Sequence, residues 1–337
     1  METEKNCLIC GNSNFKVLHL IKETIYKEQF YIMQCKNCHF IFTNPVLSSK
    51  ELSRFYPLSY YSFIPRQVNF YSSPKRYFKK NTGDRLKVFL LTELGYDFAT
   101  KDFLSLLLFP FFPLYKYTVS EVYPRKKEGG YLLDVGCGCG EYIVFLKQLG
   151  WNVFGIDTNL QAVINGKKAY GLDIFCGEVL DAKFPDNFFD TITMHAVLEH
   201  ISEPIITLKE LRRILKKDGE IIISVPNVWN WEKILFRKFW WGWDTPRHIW
   251  HFSPISIKKL LEKTGFQVTK INYIGDMYNF MKNFTNMLQM IPSRKFSENL
   301  FSPNRCRFIT KYLMFPISII GVLTRTSENF VIYAKKI

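Results

Sequence analysis

The sequence predicts an α/β fold: a doubly wound, largely parallel sheet with a small cysteine-built module in front of it. Three observations carry this. From residue 131 onward, short apolar runs alternate with amphipathic segments, several of which stop at glycine. A glycine-rich loop, "DVGCGCG" at Asp134–Gly140, joins the first apolar run to the next amphipathic segment. Two C-x-x-C pairs, Cys7/Cys10 and Cys35/Cys38, stand near the N-terminus with 24 residues between them.

In chain order, the cysteines come first. Each C-x-x-C pair can sit on a tight turn and aim both sulfurs at one point, and two such turns surround a tetrahedral Zn²⁺. Cys7, Cys10, Cys35 and Cys38 are therefore expected to hold a structural zinc in a zinc ribbon over residues 1–45, with a hairpin in "FKVLHLIKETIYKEQFYIMQ". Gly11 follows the first pair, where the turn needs positive φ. His39 follows the second pair and is not expected to ligate, because four thiolates close the site. "METEKNCLIC" has no apolar leader, so disulfides are not expected and the protein is read as cytoplasmic.

Residues 46–127 read as an irregular, aromatic and basic linker. It holds a short helix at "SKELSRFYPLSYYS" that breaks at Pro57 and an amphipathic helix at "NTGDRLKVFLLTEL". The main domain is placed at 128–337. "YLLDVG", "NVFGID", "LDIFCG", "FFDTITMHAV" and "EIIISVPN" are strands. "EYIVFLKQLG", "TNLQAVINGKKAYG" and "PIITLKELRRILKKDG" are helices between them. "SPISIKKLLEKTG" is a helix with a serine start and a glycine stop, and "FQVTKINYIG" and "ENFVIYAKK" close the sheet. An aromatic and basic insertion occupies about 276–325.

Net charge is +15, and it is concentrated: residues 66–127 hold 12 Lys/Arg against 5 Asp/Glu, and residues 271–337 hold 9 against 3. Such regions suit phosphates in nucleic acid, anionic lipid or a nucleotide-linked substrate. The longest apolar runs, Phe103–Tyr115 and Tyr312–Leu323, are broken by proline and fall short of the roughly 18–20 residues a spanning helix needs. Lys101 and Lys116 flank the first, Lys311 and Arg325 the second. Core packing and peripheral contact at the inner face of a membrane are both open for them.

The glycine loop lies at the carboxyl end of the first strand, where open α/β sheets bind ligands. Gly136, Gly138 and Gly140 are spaced G-x-G-x-G. A dinucleotide fingerprint would need glycine at Glu141, and no Lys-Ser/Thr follows to make a P-loop. Cys137 and Cys139 read as small fillers. Asp134 suits a cationic amino acid better than a phosphate, and Asp157, ending the next strand, can accept hydrogen bonds from a ribose diol.

With "GIDTN", "GEVLDAKFPDNFFDTITMHAVLEHI", "ELRRILKKDGEIIISVPN" and "TPRHIWHFSPIS" following in order, the chain resembles class I S-adenosylmethionine-dependent methyltransferases. The resemblance covers about 130–275, with a closing strand near 327–335, and implies a seven-stranded Rossmann-like sheet. It implies a donor site built from Asp134, Gly136, Cys137, Gly138 and Gly140, the ribose-binding Asp157 with Thr158 beside it, and Glu178 and Val179 at adenine. His195 would lie where strand backbone flanks the donor. The family usually has Asp-Ala at the adenine pair. "TPRHIWHFS" is similar to a stretch in methyltransferases of bacterial polysaccharide and sugar pathways, and in place to a histidine-rich segment of deoxysugar C-methyltransferases, which also carry an N-terminal zinc-binding region. That resemblance implies His248 as general base, with His251 and His200 as further candidates and a helix-capping role for His248 as the competitor. Arg247 is a candidate clamp for an anionic acceptor group. "LEHISEP" also resembles ubiquinone-pathway O-methyltransferases, which implies that Glu199 and His200 could hold a divalent ion.

The leading expectation is therefore methyl transfer to a sugar or glycan, free or lipid-linked. The alternatives are a zinc-ribbon RNA methyltransferase, a quinone-type O-methyltransferase, and a non-catalytic scaffold. The RNA reading suits the charge but lacks an Asn/Asp-Pro-Pro-Tyr/Phe motif, because the fourth strand ends in "MHAV".

Overall fold

The computed structural model describes residues 6–23, 25–57, 60–65, 82–97, 122–275 and 316–337, together with 280, 283, 286 and 287. The run Phe103–Tyr115 and most of the expected insertion lie outside the described residues.

Two sheets organise the chain. The first has the order β1-β2-β3-β9, from β1 (Phe15–Lys22), β2 (Gln29–Cys35), β3 (Ile41–Asn44) and β9 (Trp250–His251), all antiparallel. The expected hairpin is β1–β2. The fourth strand is two residues of "HIWHFS", so the N-terminal module is completed by a segment 200 residues away in sequence. Phe40 stacks on Trp250 with ring centroids 6.1 Å apart, and Phe30, Phe42 and Leu47 share one buried cluster with Leu133 and Ile223 of the second sheet. The two sheets thus have a common core.

The second sheet has seven strands in the order β10-β11-β8-β7-β4-β5-β6. These are β4 (Tyr131–Val135), β5 (Asn152–Asp157), β6 (Ile174–Cys176), β7 (Phe189–His195), β8 (Leu215–Pro226), β10 (Phe266–Ile274) and β11 (Asn329–Lys336). The strands from β6 to β8 are parallel, and β11 pairs antiparallel with both β8 and β10. β4 is central and buried beyond its first residue, as a parallel strand covered on both faces must be. Crossovers leave β4 in one direction for β5 and β6 and in the other for β7 and β8. That reversal opens a crevice at the carboxyl edge between β4 and β7.

The helices named in the sequence are present as α2 (Thr82–Glu93), α3 (Glu141–Gln148), α4 (Leu160–Tyr170), α5 (Pro204–Ile214) and α7 (Pro254–Lys263), after the short α1 (Ser49–Ser53). One boundary moves. "PIITLKELRRILKKDG" was expected to stay helical to Gly219, but α5 stops at Ile214 and β8 begins at Leu215. Leu215 is fully buried opposite Phe189, and Lys216 reaches Asp190 at 2.8 Å. Strand pairing and burial override the helix propensity of the Lys-Lys-Asp run. One helix was not read from the sequence, α6 (Trp231–Phe236), capped by Asn230; another, at 316–323, falls within the apolar run Tyr312–Leu323.

Candidate active site

A cavity of about 260 Å³ opens at the crevice. Val135 and Gly136 form its floor. Ile156, Asp157 and Thr158 come from the end of β5, Gly177 to Val179 from the loop after β6, and His195 to Val197 from the end of β7. His200 to Glu203 add a further wall.

Asp157 is fixed by the loop it faces: its carboxylate accepts from the backbone N–H of Gly138 at 2.7 Å and of Asn159 at 2.8 Å. Burial raises its pKa against those two bonds. Asp134 is behind the loop rather than at the cavity. Thr193 Oγ1 donates to it at 2.6 Å, and burial pushes its carboxyl up to about 7. Of the three glycines of the loop, Gly136 lines the cavity and Gly138 and Gly140 do not. A Cβ on Gly138 would meet the Ser62 carbonyl at 2.7 Å, and Cys139 N–H donates to that same carbonyl. Cys137 is a filler, its sulfur 2.7 Å from where a Cβ on Gly155 would be. Gly140 packs on Leu172. Four expected donor contacts, Asp134, Cys137, Gly138 and Gly140, therefore support the loop from behind, and Gly136, Asp157, Thr158, Glu178, Val179 and His195 line the cavity. His195 meets Tyr142 edge-on at 4.6 Å, and its buried Nε2 has no hydrogen-bond partner among the described residues. Burial lowers its pKa to about 4. Ala196 follows in the left-handed region at φ 53, its N–H held by the Ser224 carbonyl.

The third wall was not legible as a site. Ser49, Leu52, Ser53 and Tyr56 from α1 and its sequel, with Tyr60, Ser62 and Phe63, close the cavity from the stretch read as linker. Ser49 Oγ donates to Glu178 at 2.7 Å, and Asn165 donates to the Phe63 carbonyl. The only signal was the density of Tyr and Ser in "SKELSRFYPLSYYS".

The histidines separate. His200 lines the cavity. Its Nδ1 is 2.8 Å from the Arg247 carbonyl and 3.0 Å from Tyr56 Oη. A carbonyl only accepts, so Nδ1 carries the proton and Nε2 the lone pair. His248 packs behind His200, ring centroids 4.7 Å apart, with Nδ1 on the Gly242 carbonyl and Nε2 3.7 Å from Asp244. His251 lies deeper, its Nε2 3.1 Å from Thr43 Oγ1 and its ring against Trp243. Neither His248 nor His251 lines the cavity. The sequence placed all three at one sheet edge, and packing decides which ring faces inward. Arg247 pairs with Asp244 at 2.5 Å and lies over the rings of Tyr56 and Tyr60.

Burial pushes Glu199 up to about 8 and, with His248 nearby, holds His200 down to about 3. Both Glu199 carboxylate oxygens lack a hydrogen-bond partner among the described residues. Glu199, His200 and His248 each offer one ligand atom within 4.8 Å of the others, a set that could take a proton or a divalent cation.

The cysteines converge as expected. Cys7 and Cys38 sulfurs are 3.5 Å apart and Cys10 and Cys35 sulfurs 3.6 Å, far beyond a disulfide bond. All four lie within 4.8 Å of one another. Tetrahedral Zn–S bonds of ~2.3 Å give sulfur separations of about 3.8 Å, so the set fits Zn²⁺. The two knuckles match: Gly11 N–H bonds Cys7 O and His39 N–H bonds Cys35 O, both residues at positive φ. His39 thus fills the turn position that Gly11 fills in the first knuckle.

Residues 112–271 match the family described as "Methyltransferase domain". A protein of Methanocaldococcus jannaschii is 32% identical over 151 residues, 44% of this chain and 60% of that one. A Mycolicibacterium smegmatis protein named "Probable S-adenosylmethionine-dependent methyltransferase" is 28% identical over 141 residues, 41% of this chain and 52% of that one. The demethylmenaquinone methyltransferase of Listeria welshimeri is 26% identical over 127 residues, 34% of this chain and 54% of that enzyme. The chain thus spans about half to three-fifths of the length of the curated relatives it matches. Among solved structures, a methyltransferase of Methanosarcina mazei is 19% identical with TM-score 0.44, covering 64% of this chain and 99% of that one.

Proposed function

We propose that the chain transfers a methyl group from S-adenosylmethionine to a sugar or glycan acceptor, free or lipid-linked. The observation that carries methyl transfer is the cavity at the strand-order reversal of a methyltransferase domain, with Asp157 at the end of β5. S-adenosylmethionine, when bound, supplies a methyl group on a positively charged sulfonium. Asp157 has lone pairs left for ribose hydroxyls, and Ile156 and Val179 offer an apolar wall for adenine. The Tyr56 and Tyr60 rings on the opposite side suit the C–H face of a sugar. The four-cysteine module beside "TPRHIWHFS" supports the sugar reading through the resemblance stated above.

Of the three histidines, His200 has the place of a proton acceptor, with His248 behind it as a positioning residue. Burial keeps His200 neutral, and with Nδ1 holding its proton on the Arg247 carbonyl the Nε2 lone pair is the one left to take a proton from the acceptor. The expected result for His200→Ala is a ~10²–10⁴-fold loss of turnover with donor binding retained. Unchanged turnover removes His200 from the chemistry. The cation reading of Glu199, His200 and His248 predicts instead that added Mg²⁺ or Mn²⁺ raises the activity of the zinc-loaded protein with no chelator present, and that Glu199→Gln removes that rise.

The acceptor is tested by incubating the enzyme with methyl-labelled donor and a lysate of its native host, then separating sugar, lipid, quinone and RNA pools. Label in sugar or glycolipid supports the proposal, and RNase-sensitive label overturns it. Label in quinone supports the second reading, favoured by the demethylmenaquinone relatives and the apolar Leu52 and Phe63 in the cavity wall.

A further inference from the structure

We propose that α6 and the helix at 316–323 together form a face that docks on an anionic membrane surface. The two elements lie side by side: Trp231 N–H donates to the Thr326 carbonyl, and the Trp231 indole nitrogen is 3.6 Å from where a Cβ on Gly321 would be. Their outward side chains are large and apolar. Ile234 is 74% exposed, Leu235 60%, Ile320 59% and Leu323 69%, with Trp229 at 47% beside them. Aliphatic side chains this exposed on adjoining helices make a patch rather than scattered single residues.

The charge around the patch has one sign. Arg237, Lys238 and Arg325 are exposed and Lys233 is half-buried. The only carboxylates in 227–240 and 316–328, Glu232 and Glu328, are buried. Within these two segments no exposed acid is left to repel an anionic surface. Apolar side chains flanked by Lys and Arg are what an interfacial segment presents to anionic lipid. The sequence raised membrane contact for two apolar runs, of which Phe103–Tyr115 lies outside the described residues and Tyr312–Leu323 ends in this face; α6 adds the second half of the face.

The patch also has a useful place. α6 leaves the carboxyl end of β8, and the helix at 316–323 leads into β11, whose first residue Asn329 pairs with Pro226 at that same end. The face and the cavity therefore share one edge of the sheet. A membrane under this edge would deliver lipid-borne material along the side where the cavity opens. The proposal concerns binding alone and stands whether or not the acceptor is a lipid.

The test is co-sedimentation of the full chain with vesicles of phosphatidylcholine alone, and of phosphatidylcholine and phosphatidylglycerol in about equal parts. Binding to the mixed vesicles, weakened by salt and near absent on phosphatidylcholine, is expected. Ile234→Ser/Leu235→Ser should weaken it ~10-fold or more, since both apolar side chains leave the contact. Arg237→Gln/Lys238→Gln should weaken it by roughly tenfold through charge alone, so the face is probed even if the apolar pair misfolds. Val17→Ser/Leu20→Ser, on the exposed side of β1, should leave binding unchanged. No binding to mixed vesicles overturns the proposal, as does equal binding by all variants. So does a concentration-dependent dimer that Ile234→Ser/Leu235→Ser abolishes, which would give the face to a second copy of the chain.

Discussion

Asp134 shows how a residue of the glycine loop can act without facing the cavity. It is nearly fully buried, it accepts from Thr193, and burial with Asp157 nearby raises its pKa from 3.8 to about 7. An acid whose pKa is raised by folding holds its proton more tightly in the folded state. Its contribution to stability is complete below pH 3.8 and is lost as pH rises through about 7. At ~1.4 kcal/mol per pKa unit the loss is at most about 4 kcal/mol. Asp134→Asn should therefore flatten the fall in melting temperature across that window, and parallel slopes for variant and parent would show that Asp134 is not its source. At this scale the sequence was informative where chemistry sits at strand ends. Asp157, Glu178 and His195 reach the cavity because a parallel strand delivers its last side chains to one edge. It was uninformative about which of His200, His248 and His251 faces inward, because that depends on ring packing between segments about fifty residues apart.

Elements were legible where their ends carry their own chemistry. α7 begins with a reciprocal cap: Ser253 Oγ accepts from Ser256 N–H, Ser256 Oγ accepts from Ser253 N–H, and Pro254 takes the first turn. Ser253→Ala should cost about 1 kcal/mol, read as a melting temperature a few degrees lower, with donor binding unchanged. A loss of donor binding at preserved stability would mean that the cap orients the preceding "TPRHIWHF" segment as well. The boundary of α5 and β8 was misread because the Lys-Lys-Asp run carries helix propensity, while the pairing of Leu215 with Phe189 is non-local. β9 was invisible for a related reason. Two residues have no period, and only the partner strand Ile41–Asn44 makes them a strand.

For the whole molecule, the decisive fact is that β9 ties the four-cysteine module to the sheet edge where the cavity opens. Thr43 donates to the His248 carbonyl at 2.7 Å and lies 3.1 Å from His251 Nε2, and Trp250 packs on Phe40. Structural zinc sites contribute ~10–16 kcal/mol, as much as the ~5–15 kcal/mol that stabilises a domain. Removing the metal should therefore unfold β1 to β3, and β9 would lose its partner strand directly beside His248 and, through it, His200. The expected outcome is one zinc per chain by elemental analysis. A strong chelator should then lower the main melting transition and methyl transfer together, and added zinc should restore both. A separate low-temperature transition with full activity after chelation would mean that the module is an appendage. The shared cluster of Phe30, Phe42 and Leu47 with Leu133 and Ile223 argues for the first outcome, because those side chains cannot leave one sheet without opening a hole in the other.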